Sequence, residues 1–281
     1  ATIGRLAVAR FRGLVNNVRI PANPAMRNTH IDLHDRLDRA LVAIGNDYPP
    51  GHLLPAHTHR RAQLLYGATG VMHVATRDGN WVVPPQRAVW IPAGLAHQVR
   101  MQDVSTRSAY IEPGAARPAS SACEVVEVSP LLRQLLLAAV DMPARYDTAG
   151  RDGALAALLL HEVTRAPVLP LHIPLPRDKR LAALCRAFIA APDARQSPEA
   201  WAARLHMSPR TFSRHFRQQT GMAFSAWRQR ACVVLALARL AAGAPVTAIA
   251  LDFGYQSPAA FSTMFRRVLG CPPTGYLQAP L

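Results

Sequence analysis

The sequence predicts an α+β chain of several domains, with an N-terminal β-barrel or jelly roll followed by an all-α C-terminal domain. Three observations predict it. Between Ala40 and about Ile111 the chain runs in short β-like stretches, "LVAIG", "QLLYG", "GVMHVAT", "NWVVP" and "AVWIPAG", separated by Pro, Gly and Asp-Gly turn signals. After the linker-like "EPGAARPASSA" the apolar period lengthens to that of helices. In the last third, a short apolar helix, a tight turn and a second helix led by Ser-Pro occur twice. With 281 residues, half of them hydrophobic, the chain has the length of two ordinary domains and the material for a substantial core.

In chain order, residues 1–38 read as a basic, poorly patterned arm and 39–115 as the β domain, in which Asp78-Gly79 marks a hairpin. Residues 116–176 read as a helical linker and dimerisation region. Within it, "SPLLRQLLLAAVD" (129–141) opens on Ser129 as cap and Pro130 as first helical residue. Its leucines at 131, 132, 135 and 136 form an apolar stripe, the one sequence feature that supports a homodimer. "DGALAALLLHEVTRA" (152–166) is a second helix, and "VLPLHIPLPRD" a proline-rich connector. Residues 177–281 read as helical throughout.

The net charge is +15 and unevenly spread. From Arg177 onward there are 14 basic and 4 acidic residues, against 18 and 13 before it, so the C-terminal third carries the footprint of a polyanion partner. No apolar run approaches the roughly 20 residues that span a bilayer. The N-terminal residues are too interrupted by arginine for a signal peptide. Cys123, Cys185, Cys232 and Cys271 are far apart and form no Cys-x-x-Cys pair, which argues against a zinc knuckle or disulfide framework and for a reducing compartment. A cytoplasmic chain with no membrane partner is expected.

The repeat pairs "EAWAARLHMSPRTFSRHFRQQTG" (199–221) with "VTAIALDFGYQSPAAFSTMFRRVLG" (246–270). Ser208 and Ser257 can cap the second helices, with Pro209 and Pro258 at the first helical position. Phe212 with Phe216, and Phe261 with Phe265, lie four apart and face a core. Arg210, Ser213, Arg214 and Arg217 then fall on the opposite face, as in a helix-turn-helix with a basic recognition helix. These motifs, with the ending "LGCPPTGY" (Gly270, Pro272, Pro273, Tyr276), resemble the AraC family of bacterial transcription regulators over about residues 177–278. The resemblance implies that two recognition helices enter successive major-groove segments of promoter DNA. Arg210, Ser213 and Arg214 would face it from the first, and Pro258, Ala259, Ser262 and Thr263 from the second. Arg266 and Arg267 sit later, where phosphate contact is expected, so the first motif should carry most of the direct base readout. Cys232 and Leu235 stand where similar regulators often carry arginine, leaving the connecting helix unusually apolar. The resemblance is also the main ground for expecting a homodimer, which the residues support only through the stripe at 131–136, and it implies RNA polymerase as a further partner.

Upstream, Gly51, His57, His59, Gln63 and Gly70 keep the spacing Gly-x5-His-x-His-x3-Gln-x6-Gly, and Pro92, Gly94 and His97 keep Pro-x-Gly-x-x-His. Both resemble the cupin superfamily over roughly residues 40–112, with glutamine in place of the usual glutamate at 63. Gln86 replaces a customary glycine, and Met101 an asparagine. The resemblance implies a cupin sensor domain in which His57, His59, Gln63 and His97 hold one divalent transition metal. Imidazole suits nickel, zinc, iron or copper. The residues themselves leave three readings open: a metal, an organic effector held without metal, or packed histidines. Trp81, Trp90 and Tyr66 are expected in the core rather than in the pocket. The leading expectation is a non-enzymatic regulator controlled by a small ligand or metal. The alternative is a metal-dependent cupin enzyme fused to a DNA-binding module, which lacks both the glutamate and a second acid–base pair near the motifs.

Overall fold

The computed structural model describes residues 29–116 and 122–276. Most of the expected arm, residues 1–28, lies outside them. Its last part packs on the β domain, where Ile31–Leu33 form a 3-10 turn and Ile31 is buried against Val42 and Ile44.

Among the described residues, eleven strands make two antiparallel sheets. One contains β1 (Leu41–Tyr48), β3 (Ala62–Gly67), β6 (Arg87–Ile91), β8 (Val104–Ile111), β9 (Glu124–Glu127) and β10 (Val168–Leu169), in the order β1-β8-β3-β6-β9-β10. The other contains β2 (Leu53–His57), β4 (Val71–Ala75), β5 (Gly79–Val83), β7 (His97–Gln102) and β11 (His172–Pro174), in the order β11-β5-β4-β7-β2. The expected jelly-roll sandwich is therefore present, closed at its hairpins by turns such as that of Thr76 N–H on the Gly79 carbonyl (3.0 Å). Gly70 enters β4 at φ +65°, and a Cβ there would lie 2.2 Å from the Asp103 carbonyl oxygen. Only glycine fits this turn.

Strand β3 shows how the sheet is used. All six of its residues are buried, because both faces of the strand are covered. Leu65 points into the sandwich with Val89, Ile91, Val99 and Met101. Leu64 and Tyr66 point the other way, onto helices α1 (Pro130–Ala139) and α2 (Arg151–Arg165). Tyr66, Trp81 and Trp90 are all buried, as the core reading expected.

The segment 116–176 differs from a purely helical linker. It supplies α1 and α2, and also β9, β10 and β11. The proline-rich connector becomes the outermost strand of each sheet, positions where a residue without an N–H is tolerated. The leucine stripe is also used differently. Leu132, Leu135 and Leu136 pack on the chain's own sheet and on α2, and only Leu131 stays exposed. A helical stripe specifies burial but not the partner, so the sequence could not separate an internal core from a dimer seam.

The C-terminal unit holds α3 (Lys179–Ala190), α4 (Pro198–Arg204), α5 (Pro209–Thr220), α6 (Phe224–Ala241), α7 (Val246–Asp252), α8 (Pro258–Leu269) and the short α9 (Pro273–Tyr276). Helix α6 joins the two helix-turn-helix pairs and also packs on β5 and β11. Its apolar character, Cys232 included, follows from being covered on several sides at once. Trp227 Nε1 donates to the Pro174 carbonyl (2.8 Å), and the Arg87 guanidinium lies over the Tyr276 ring (5.7 Å).

Truncating Leu136 to alanine should destabilise the chain by about 2–5 kcal/mol. The loss, measured by denaturant unfolding, should not depend on protein concentration. A loss that grows on dilution would assign Leu136 to an interface between copies.

Candidate functional site

The motif residues converge between the two sheets. His57 ends β2 and pairs in register with His97 at the start of β7, while Gln63 faces inward from β3 on the opposite sheet. His59 lies just past the end of β2, in the loop, rather than on a continuing strand. Its inward direction comes from a hydrogen bond of its Nδ1 to the Arg61 carbonyl (2.5 Å). Ring centroids are 4.3 Å apart for His57–His97, 5.1 Å for His59–His97 and 6.0 Å for His57–His59. One nitrogen from each of the three can be chosen so that all lie within 4.8 Å of one another, close enough for one ion to bridge.

All three imidazoles are anchored in the same way. The Nδ1 of His57 meets the Pro55 carbonyl at 2.8 Å, and that of His97 meets the Leu95 carbonyl at 2.9 Å. A carbonyl can only accept, so each Nδ1 carries a proton, which leaves Nε2 as the nitrogen of each ring that can face a ligand. His97 Nε2 is buried and has no hydrogen-bond partner among the described residues. Gln63 Nε2 donates to Ser108 Oγ and Tyr110 OH (both 3.0 Å), which points Oε1 at His59 Nε2 (3.1 Å). In that arrangement two acceptors face each other, and only a proton or a cation between them makes the contact favourable. Burial disfavours the proton, holding His59 below the usual histidine range and His97 lower still, at about 4. Without a cation the Gln63 amide can invert, because both hydroxyls can donate as well as accept. The donor set therefore fits a transition-metal ion: neutral imidazoles with their other nitrogens fixed by backbone carbonyls, the usual outer support of ligating histidines.

The adjoining cavity, of about 130 Å³, is lined by His57, Gln63 and His97 together with His30, Asn46, Tyr48, Leu65, Ser108 and Tyr110, and His59 lies outside that lining. Its rim depends on a residue that the motif did not single out. Arg61 is fully buried, its guanidinium donating to the carbonyls of Asp35 (3.1 Å), Leu37 (2.6 Å) and Arg39 (2.8 Å) and pairing with Glu112 (3.1 Å). It fastens the 35–39 segment over the loop that carries His59. Its only mark in the sequence is its place in "HTHRR", and the roles of Ser108 and Tyr110 leave no mark there at all.

The second candidate surface is the helix-turn-helix face. Ser208 Oγ accepts from Thr211 N–H (3.2 Å) and Ser257 Oγ from Ala260 N–H (3.1 Å), so both second helices start at the expected cap. They end on left-handed Gly221 and Gly270. Phe212, Phe216, Phe261 and Phe265 are wholly buried, and Trp201 locks the first pair into a cluster with Phe224 and Trp227. Arg210, Ser213, Arg214 and Arg217 are exposed on α5. On α8, Thr263, Arg266 and Arg267 are exposed and Ser262 is half-buried. Among the described residues no carboxylate lies within ion-pair distance of these five arginines.

Residues 40–208 match the family model of an AraC-like ligand binding domain, and residues 201–279 that of a helix-turn-helix domain. The chain belongs to the AraC family of helix-turn-helix transcriptional regulators. It is 30% identical to the HTH-type transcriptional regulator NimR of Escherichia coli (strain K12) over 224 residues, 79% of this chain and 82% of that one. Of solved structures, ToxT from Vibrio cholerae aligns with 85% of this chain and 98% of its own, at 9% identity and a TM-score of 0.34. The DNA-binding domain of AdpA, solved in complex with a target DNA, covers 35% of this chain and 89% of its own, at 35% identity and a TM-score of 0.32. This AraC-family regulator thus joins a DNA-binding unit to a ligand-binding domain. None of its helices among the described residues is long and apolar enough to cross a membrane.

In the chelator-treated regulator, His97 should stay neutral well below pH 6.5. Its folded value of about 4 lies under the unfolded one, so its contribution to stability is complete above pH 6.5 and is lost as pH falls toward 4. An NMR titration of the His97 ring checks this, and a midpoint at or above 6.5 would contradict the buried, Nδ1-protonated geometry.

Proposed function

We propose that this regulator is a one-component metal-responsive switch, in which His57, His59, Gln63 and His97 bind one divalent transition metal and the bound state alters promoter binding. The observation that carries the reading is the set of three Nδ1-anchored imidazoles with one nitrogen of each within 4.8 Å of the others, and the Gln63 carbonyl oxygen against His59. An organic effector held without metal is the weaker reading, because the cavity of about 130 Å³ is smaller than the roughly 300–1,000 Å³ of ordinary small-molecule pockets. The neutral ligand set also speaks for a regulator rather than an enzyme. No Asp or Glu among the described residues lines the cavity to act as a general base. Metal-dependent turnover would revive the enzymatic alternative.

On this reading Arg210, Ser213, Arg214 and Arg217 read or clamp promoter DNA from the first motif. Ser262, Thr263, Arg266 and Arg267 support it from the second, mainly through the backbone. A metal can act only by binding two arrangements of the regulator with different affinity. The route between site and DNA unit runs across the width of one sheet. The sheet that carries His57 and His97 ends in β5 and β11, where His172 pairs with Trp81. The next residues are tied to the DNA unit, through Trp227 on the Pro174 carbonyl (2.8 Å) and Gln219 Oε1 accepting the N–H groups of Arg177 (3.0 Å) and Asp178 (3.1 Å). A homodimer would use the outer faces of α1 and α2, where Leu131 and Leu158 are exposed. A cytoplasmic location and contact with RNA polymerase accord with this role.

Elemental analysis of the untagged chain should find about one transition-metal ion per chain. The His57→Ala and His97→Ala variants should lose it while remaining folded. Loading the metal should change affinity for an operator selected from a random DNA pool. A regulator that carries no metal, or whose DNA affinity and self-association ignore it, is not the switch described. Separately, Arg214→Ala should reduce discrimination between that operator and unrelated DNA by about 1–3 kcal/mol. Equal losses on every sequence would make Arg214 a phosphate contact only.

A further inference from the structure

The metal reading leaves a charge unbalanced. Three neutral imidazoles and a neutral amide give a divalent ion no negative charge, and a buried charge without a counter-charge is strongly unfavourable. The cavity lining does not supply one. Its polar groups besides the metal-binding set are those of Thr29, His30, Asn46, Tyr48, Ser108 and Tyr110, with no carboxylate among the described residues. Asp35 acts electrostatically on His59, but it does not line the cavity and it faces two cations, Arg60 at 3.7 Å and Arg61 at 3.8 Å. The missing charge can come from a metal-bound water that gives up its proton or from an anionic ligand that displaces it.

Two hydroxyls are placed to receive it. Tyr110 OH accepts from Gln63 Nε2 (3.0 Å), and Tyr48 OH accepts from Asn46 Nδ2 (2.9 Å), so each keeps its own proton to donate. Together, an uncompensated cation and two neutral O–H donors around a cavity of about 130 Å³ form a receptor for a small anion.

Resting on the metal reading, we propose that the effector of this regulator is a small carboxylate, bound as the anionic partner of the metal, with Tyr48 and Tyr110 donating to its oxygens. Gln63 then sets the specificity of the pocket. The glutamate usual at this position would supply the negative charge internally and leave less need for an anion, whereas glutamine makes occupancy depend on metal and carboxylate together. Metal and effector would bind cooperatively, each raising affinity for the other by the same factor.

The test uses the full chain loaded with Co(II) and titrated with acetate. The visible ligand-field spectrum reports coordination, and calorimetry reports affinity. Acetate should change the spectrum of the Co(II) chain and bind it at least about tenfold more tightly than the metal-free chain. Tyr48→Phe should weaken acetate by about five- to tenfold with Co(II) affinity unchanged. Gln63→Glu should move the two affinities in opposite directions, Co(II) tighter and acetate weaker. A chain that binds Co(II) but whose spectrum ignores acetate overturns this proposal and leaves the metal reading standing. Failure to bind Co(II) at all overturns both.

Discussion

The burial of α6 is the constraint on which the molecule depends. It is the common wall of both helix-turn-helix pairs, and it also lies against the last two strands of the sheet that carries His57 and His97. Its side chains belong to one continuous buried cluster that runs from the interior of the sandwich, through Leu171 and Ile173, to Phe212 and Phe265. A helix in this position can expose little of itself, which accounts for Cys232 and Leu235 where the resemblance led one to expect arginine. The apolar contact packs the helix-turn-helix unit directly against the edge of that sheet. In a close-packed interior, small displacements are not absorbed locally.

The pocket rests on a second, smaller device. Each histidine is fixed by a backbone carbonyl two residues away, so ring orientation is set by local chain geometry and not by distant packing. Distant packing enters through Arg61, whose buried guanidinium gathers three carbonyls of the N-terminal segment and so holds the loop after β2 in place. Opposite them, Gln63 is oriented by Ser108 and Tyr110 of the neighbouring β8. The two sheets thus contribute different things, imidazole lone pairs from one and a hydrogen-bonded amide from the other.

Much of this was legible in the chain itself. Ser208-Pro209 and Ser257-Pro258 announced both second helices because capping and the proline at the first position are local effects. The spacing of His57, His59, Gln63 and His97 announced the convergence, though it did not show that His59 joins from the loop after β2. The connector around Pro170 and Pro174 was not legible as strand, because edge strands of two or three residues take their stability from the sheet they join. Nor was the partner of the leucine stripe, since Leu132, Leu135 and Leu136 would look the same packed on a second copy.

By itself the sequence determined what is local or periodic: a β domain before a helical one, the caps, the buried phenylalanine pairs, the basic outer face of α5 and the motif histidines. Tertiary structure alone decided which faces meet. It put α1 and α2 on their own sheet, joined β11 to β5 beneath α6, buried Arg61, and left the cavity around His97 without a carboxylate among the described residues. The physical reason is that propensity, capping and hydrophobic period act over a few residues, whereas burial is shared among surfaces far apart in the chain.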